Sequence, residues 1–586
     1  MDRFALLPLI VALTLMGCGT QPVAATADPV RLADESGPSP HTGLALEDEK
    51  SAQPEVKLPA IPLTDDLLYK FLVSEIAGQR GMISVAKEGY LDLARQTKDP
   101  RVVKRAAEIA VFSRDADAAL ESTRMWLELE PASPRALQTL VALLVAQGKL
   151  DEATPYLEKM LVSDGPANGF MHLTVLFSKT RDTKAAYQAI RKLAAGHPAV
   201  PEAQYALAQA AIQAGKTDDA LDALKQADAL RPGWETAATL RAQLLAKQSR
   251  SDALSFMKGF LQTHPQSREV RLAYARMLVN ANQFDEAREQ FALLTTEMPD
   301  NADVHVAAGL LSLQMADPDR AETYLTRALE QGYRDAEMVR YYLGQVSEER
   351  KQDAQAISRY ESVAKGEHLV SARTRHAGIL ARQGKLADAL ALLKSTEVAN
   401  DGQRIQLIQA ESNLLRDAKD YEGVYKLLDN ALKQRPDHID LLYDRAMAAE
   451  KINKLDVAEA DLRKVIKLKP DYAHAYNALG YTLVEKTDRI NEAAELLEKA
   501  LSLAPDDAFI LDSMGWLHYR KGNLDKAREY LERAWKLRQD PEIAAHLGEV
   551  LWMKGSRDEA SKLWDTTLQS YPNNEALLET LKKFKR

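Results

Sequence analysis

The chain has 586 residues, 46% of them hydrophobic and 27% charged, with a formal net charge of −9. Those proportions suit a folded globular chain, and the mildly acidic balance excludes the basic face that nucleic-acid binding requires. A single cysteine, Cys18, excludes an intramolecular disulfide and a cysteine-based zinc site. Aromatic residues make up only 6%, while Ala, Leu, Glu, Gln, Lys and Arg are abundant. These are strong helix formers, so the expected fold is all-α. A cysteine-poor body also suits an oxidising compartment, where stray thiols would pair wrongly.

The first element is a short polar start, Met1-Asp2-Arg3, followed by an apolar run from Phe4 to Met16. Spanning a bilayer takes about 20 apolar residues, so this run is too short to do so. It has the length of the apolar region of a signal peptide. "LMGC", Leu15 to Cys18, resembles a lipobox, the cleavage site of bacterial lipoproteins, with Met16 where a small residue is usual. The resemblance implies a signal peptide over residues 1–17. It makes Cys18 the first residue of the mature chain, with S-diacylglycerol on its sulfur and an N-acyl chain on its amine. Each buried methylene contributes ~0.8 kcal/mol, so several chains hold firmly where one holds weakly. Gly19, rather than Asp, follows the cysteine. That resembles lipoproteins sorted to the outer membrane and facing the periplasm.

Residues 18–62 carry Pro22, Pro29, Pro38, Pro40, Pro54, Pro59 and Pro62 among Ser, Thr, Asp and Glu, with no apolar period. This composition predicts a disordered linker. Its root-mean-square reach as a flexible coil is ~35–40 Å.

From Leu63 the sequence repeats. Gly480, Gly515 and Gly548 stand 35 and 33 residues apart, and Ala493, Ala527 and Ala560 stand 34 and 33 apart. Pro198 and Pro232, like Pro436 and Pro470, are separated by 34. A period of 34 with these landmarks resembles the tetratricopeptide repeat (TPR), a helix–turn–helix unit. A small residue in the first helix, such as Ala208, Gly309 or Gly515, admits a second helix closely. Twelve or thirteen residues later another small residue, such as Ala220, Ala321 or Ala527, receives it. Four further on comes a large knob: Leu224, Phe291, Leu325, Tyr360, Leu497, Leu531 or Trp564. Turns such as "AGKTDDA" (Ala214–Ala220) and "RKGNLDKA" (Arg520–Ala527) place Gly after the first helix and Asp at the start of the second. The spacing predicts a TPR solenoid of about fifteen helix pairs over residues 63–572. A C-terminal capping helix over residues 573–586 would cover the open end. The pairs at 65–98, 166–198, 233–266 and 401–436 match the pattern poorly. No composition break interrupts residues 63–586, which predicts one continuous solenoid.

No catalytic, cofactor-binding or metal-binding constellation emerges. "AGKT" at 214–217 lacks the glycine five positions before Gly215 that a phosphate-binding loop needs, since Ala210 stands there. The eleven histidines are scattered, and those at 172, 305, 376, 474, 518 and 546 fall on helices, where packing or surface roles are expected. Binding is better supported. In a TPR solenoid the first helices line the concave wall. Positions six and three before, one after and four after the small residue face inward. These place Tyr205 and Gln209, Tyr341 and Gln345, Tyr443 and Met447, and Asn477 and Tyr481 on the wall. They also place Asp512, Trp516 and Tyr519 there, with Arg520 adjacent. Tyr, Trp and Arg are the usual anchors of protein interfaces.

Two N-terminal blocks, "LLYKFLVSEIAGQRG" (Leu67–Gly81) and "AKEGYLDLARQTKDPRVVKRAAEIAVFSRD" (Ala86–Asp115), stand out, as does "ILDSMGWLHYRKGNLDKAREYLERA" near the C-terminus. With the signal, they resemble a family of large Gram-negative outer-membrane TPR lipoproteins. Its best-known member is the lipoprotein adaptor of the periplasmic carboxyl-terminal processing protease. The resemblance implies a non-enzymatic adaptor without cofactors. Its partners would be that serine protease and substrates such as peptidoglycan cross-link hydrolases, brought together to raise effective concentration. The alternative is a TPR scaffold of an envelope assembly or exopolysaccharide export complex.

Overall fold

The computed structural model describes residues 58–584 apart from 164, 179 and 181. The signal peptide, Cys18 and nearly all of the linker lie outside the described residues. Among the described residues there are 31 helices and no strand. They form fifteen helical hairpins, from Asp65–Gln79 with Ile83–Thr97 to Pro541–Met553 with Arg557–Ser570, and a single closing helix, Glu575–Phe584. The four stretches that match the repeat pattern poorly are hairpins too. The one beginning at Asp401 has the longest first helix, Asp401–Asp417. The chain divides into two compact units, one ending at Tyr333 and the other beginning at Arg334.

The knobs and holes meet as the spacing demands. A Cβ built on Gly309, Gly344, Gly480 or Gly515 would lie 2.4–2.7 Å from the side chains of Leu325, Tyr360, Leu497 and Leu531 respectively, and one on Gly548 only 2.0 Å from Trp564 Nε1. No real Cβ sits so near, so a side chain at these five positions would push the helices apart. Tyr360 and Trp564 are among the largest fully buried side chains. First helices also stack on first helices: Ala473–Lys486 packs on Ala508–Arg520, and that helix packs on Pro541–Met553. This stacking builds the wall on which the candidate binding residues stand.

The turns follow helix-end chemistry with one correction. Gly215 and Gly522 have φ near +72° and +77°, the left-handed conformation that ends a helix without steric cost. In repeats without glycine the same conformation is held by Arg114, Asn282, Ala316 and Lys419, so packing overrides residue preference there. The aspartates in the Gly215 and Gly522 turns do not cap. Lys216 and Asn523 occupy the N-cap positions, and Asp218 and Asp525 lie inside the first turn, where they complement the helix dipole. Aspartate does cap elsewhere, as at Asp115 and Asp317.

Candidate protein-binding surfaces

Three of the wall tyrosines share one arrangement. Tyr205 packs on Trp234 with ring centroids 4.9 Å apart. Tyr341 stacks on His368 at 4.8 Å and 19°. Tyr443 packs on Tyr472 at 5.5 Å. Trp234, His368 and Tyr472 each occupy the N-cap position of the next first helix. Each tyrosine therefore staples one repeat to the next. Gln209 donates a 2.7 Å hydrogen bond to the Tyr205 hydroxyl, and Tyr205 is buried. Gln345 is half-buried. Tyr443 and Met447 are half-buried on the core of the C-terminal unit, and burial pushes the Tyr443 hydroxyl up to about 12.

The remaining wall residues form one cluster across helices Ala473–Lys486, Ala508–Arg520 and Pro541–Met553. Trp516 lies between Tyr519, 4.8 Å away, and His546, 4.2 Å away, with both rings stacked on it. Its indole Nε1 donates to Glu485 at 2.8 Å. His546 Nδ1 faces both carboxylate oxygens of Asp512 at 3.0 Å. Burial disfavours the imidazolium, but the Asp512 charge and hydrogen bond outweigh that, and the His546 pKa is raised. The Tyr519 hydroxyl donates to Glu549 at 2.7 Å, and Lys583 of the closing helix donates to the same oxygen at 2.6 Å. Tyr481 is half-buried, 6.2 Å from His546. Arg520 is exposed, with Nη1 3.8 Å from Glu485.

Asp512 and Trp516 are thus only 7% and 8% exposed, held mostly by their neighbours. Tyr481, Tyr519, Asn477 and Arg520 keep a surface. Asn477 Oδ1 is buried with no hydrogen-bond partner. Sequence reasoning passed over His546, Glu485 and Glu549. Glu549 was legible, since it follows Gly548 as Trp516 follows Gly515. The cluster gathers ionisable groups, but Ser513, the hydroxyl beside Asp512, donates to the Phe509 carbonyl. Among the described residues no His, Cys, Asp and Glu group has the spacing to hold a metal.

A second surface lies at the other end of the sequence. Helix Asp65–Gln79 buries only Ser74 and Ala77. Leu68, Tyr69, Phe71, Leu72, Val73 and Ile76 are exposed, Tyr69 by 68%. The helix is well anchored along one edge. Lys70 bridges Asp66 and Asp92 at 3.1 and 3.0 Å, and the Tyr90 hydroxyl donates to Glu75 at 2.5 Å. Such an excess of apolar residues on a terminal helix was visible in "LLYKFLVSEIAG", but which of them face outward was not.

Stacked helical hairpins are the architecture of repeat proteins, and they define a protein-interaction scaffold. The chain belongs to the tetratricopeptide-repeat family. Tetratricopeptide-repeat models match residues 179–244, 244–311 and 486–545, and residues 306–368 and 443–508. A TPR repeat-containing protein of Pseudomonas aeruginosa is 36% identical over 490 residues, covering 83% of this chain and 82% of the relative. Among solved structures, a thermophilic TPR protein of Thermus thermophilus is 23% identical, with a TM-score of 0.28, and covers 31% of this chain and 96% of its own. A tetratricopeptide repeat protein of Parabacteroides merdae is 14% identical, with a TM-score of 0.34, and covers 49% of this chain and 99% of its own.

Proposed function

We propose that this protein is a lipid-anchored adaptor of the outer membrane, facing the periplasm. It binds a carboxyl-terminal processing protease and presents substrates, among them peptidoglycan cross-link hydrolases. The observation that carries the reading is the bare face of helix Asp65–Gln79. Solenoids end in helices with polar outer faces, whereas this one leaves six large apolar side chains in water. Covering apolar surface contributes ~25 cal/mol per Å², so a protein partner gains by covering what these side chains leave exposed. The first helices of the C-terminal unit offer surface for a second partner, and two surfaces are what an adaptor needs. The lipobox-like sequence before Cys18 supports the anchor. Among the described residues no helix is long and apolar enough to cross a membrane.

The test is capture from a periplasmic extract with the full chain carrying Cys18→Ala, followed by mass spectrometry. We expect a carboxyl-terminal processing protease together with cell-wall hydrolases. The Phe71→Ser/Leu72→Ser variant should lose the protease while melting at the same temperature. Recovery of export or assembly components without a protease would overturn the adaptor reading in favour of an envelope machine.

A further inference from the structure

We propose that the C-terminal unit carries a hinge at residues 396–400, on which the hairpins from Asp401 onward swing as one body against hairpin Leu369–Ser395. The inference goes beyond the adaptor reading and needs only the packing of this unit. A joint there lets the surface around Tyr481 and Tyr519 change its distance from the hairpins before it.

Every other step between successive hairpins of the C-terminal unit is tied by rings or charges. Before the joint, Tyr341 stacks on His368, and Arg375 and Arg382 both reach Glu348 at 3.1 Å. After it, Arg445 reaches back to Asp429 at 2.7 Å, Tyr443 packs on Tyr472, and Arg489 holds Glu459 at 2.7 Å. Trp516 then donates to Glu485 and stacks on His546. Between hairpins Leu369–Ser395 and Asp401–Gln434, no ion pair, ring contact or side chain–side chain hydrogen bond exists among the described residues. The staple positions show why. Thr374 stands three residues before Ala377, as Tyr443 stands before Ala446, and the N-cap that would bring the second ring is Asn400.

The second helix before the joint is also short. Leu386–Ser395 has 10 residues, against 14 in each of Tyr421–Gln434, Leu455–Leu468 and Ile490–Leu503. At 1.5 Å per residue the helix ends about 6 Å early, losing a turn of side chains that would bear on the next hairpin. Long polar side chains bridge the gap instead. Arg404 donates to the Thr396 carbonyl at 3.1 Å. Gln403 accepts from the Ala399 amide at 3.0 Å and donates to the Gly366 carbonyl at 3.5 Å. These are single bonds from flexible side chains to backbone, which water or a neighbouring carbonyl replaces when the joint turns. Ala389 and Leu393 join Leu407 and Ala410 in a small apolar group, which serves as the pivot. Beyond it one continuous core runs from Val424 to Leu517. Motion concentrates where buried contacts are few, and the loop between two packed bodies absorbs it.

Double electron–electron resonance on the full chain carrying Cys18→Ala tests this. Cys18 is the only cysteine, so two introduced cysteines alone take the spin labels. One pair, Ala391→Cys/Ala460→Cys, spans the joint. The other, Lys426→Cys/Glu495→Cys, lies beyond it and is the same number of hairpins apart. Each site stands two residues before its hairpin's knob, at Leu393, Leu462, Leu428 and Leu497. All four sites are exposed. We expect the distance distribution of the first pair to be at least about twofold broader than that of the second. Thr374→Tyr/Asn400→Tyr installs the missing ring contact. It should narrow the first distribution to the width of the second and leave the second unchanged. Equal widths in the two unstapled proteins would overturn the proposal, as would a broad first distribution that the folded stapled variant leaves unaltered. Neither result bears on the partner, so the adaptor reading stands or falls by its own capture experiment.

Discussion

Two helices stand at the ends of the repeat sequence, and they meet water in opposite ways. The closing helix, Glu575–Phe584, turns its apolar side inward. Leu577 is 0% exposed, and Phe584 stacks 5.8 Å from Trp564 and lies 6.0 Å from Trp552. Lys582 and Lys583 sit in its last turn, where the helix dipole favours cations, and Lys583 reaches back to Glu549. The opening helix, Asp65–Gln79, is fixed by ion pairs and a tyrosine hydrogen bond, with its large apolar residues outside. Among the described residues, one end is finished by its own chain and the other is not. The difference teaches that the first helix is held along one edge, by ion pairs, by Ala77 in the core and by Phe71 edge-on to Tyr90 at 6.0 Å, while the rest of its apolar side chains remain available. A helix that merely capped the stack would be built the other way round.

Breaking the finished end should cost most. Trp564→Ala removes the knob that fills the hole at Gly548 and supports Phe584, so we expect a loss of about 3–5 kcal/mol in the C-terminal unit, measured by urea unfolding. A loss below 1 kcal/mol would mean that the closing helix is not part of the core.

A smaller effect should come from His546, next to the finished end. Its folded pKa lies above its unfolded value. Its pairing with Asp512 therefore adds stability that is complete below about pH 6.5 and disappears as pH rises through the folded pKa. Glu542 and Glu549 face the same ring and act in the same direction. His546→Gln should flatten the fall in the urea midpoint above that pH. Parallel profiles for the two proteins would show that the imidazole is neutral throughout.

The smallest change in stability should come at the unfinished end. Phe71→Ser/Leu72→Ser replaces exposed side chains, and substitutions of that kind shift stability by about 0.5 kcal/mol or less each. A large drop in melting temperature would show that the face is covered within the folded chain, and the contrast between the two ends would fail.

Much of this architecture could be read from spacing. The register of small residues and knobs fixed the helix pairs, including the pairing of Gly480 with Leu497 and Gly515 with Leu531, because a helix pair is a local object with a 34-residue period. The same register put Tyr481, Trp516 and Tyr519 on one wall. It did not reveal their partners. Tyr205, Tyr341 and Tyr443 looked like free anchors, yet each finds a ring at the next N-cap. That meeting depends on the rotation between successive repeats, which no single repeat encodes. His546 was equally silent, being one of eleven scattered histidines until Asp512 and Trp516 came to lie beside it.

The sequence by itself determined the fold class, the number of hairpins, the closing helix and the line of first helices that forms a wall. All of these follow from periodicity and side-chain size within some 40 residues. The tertiary structure decided which wall residues are already paired and which terminal helix keeps its apolar face exposed. Those are properties of contacts between repeats, where burial and charge depend on neighbours distant in the chain.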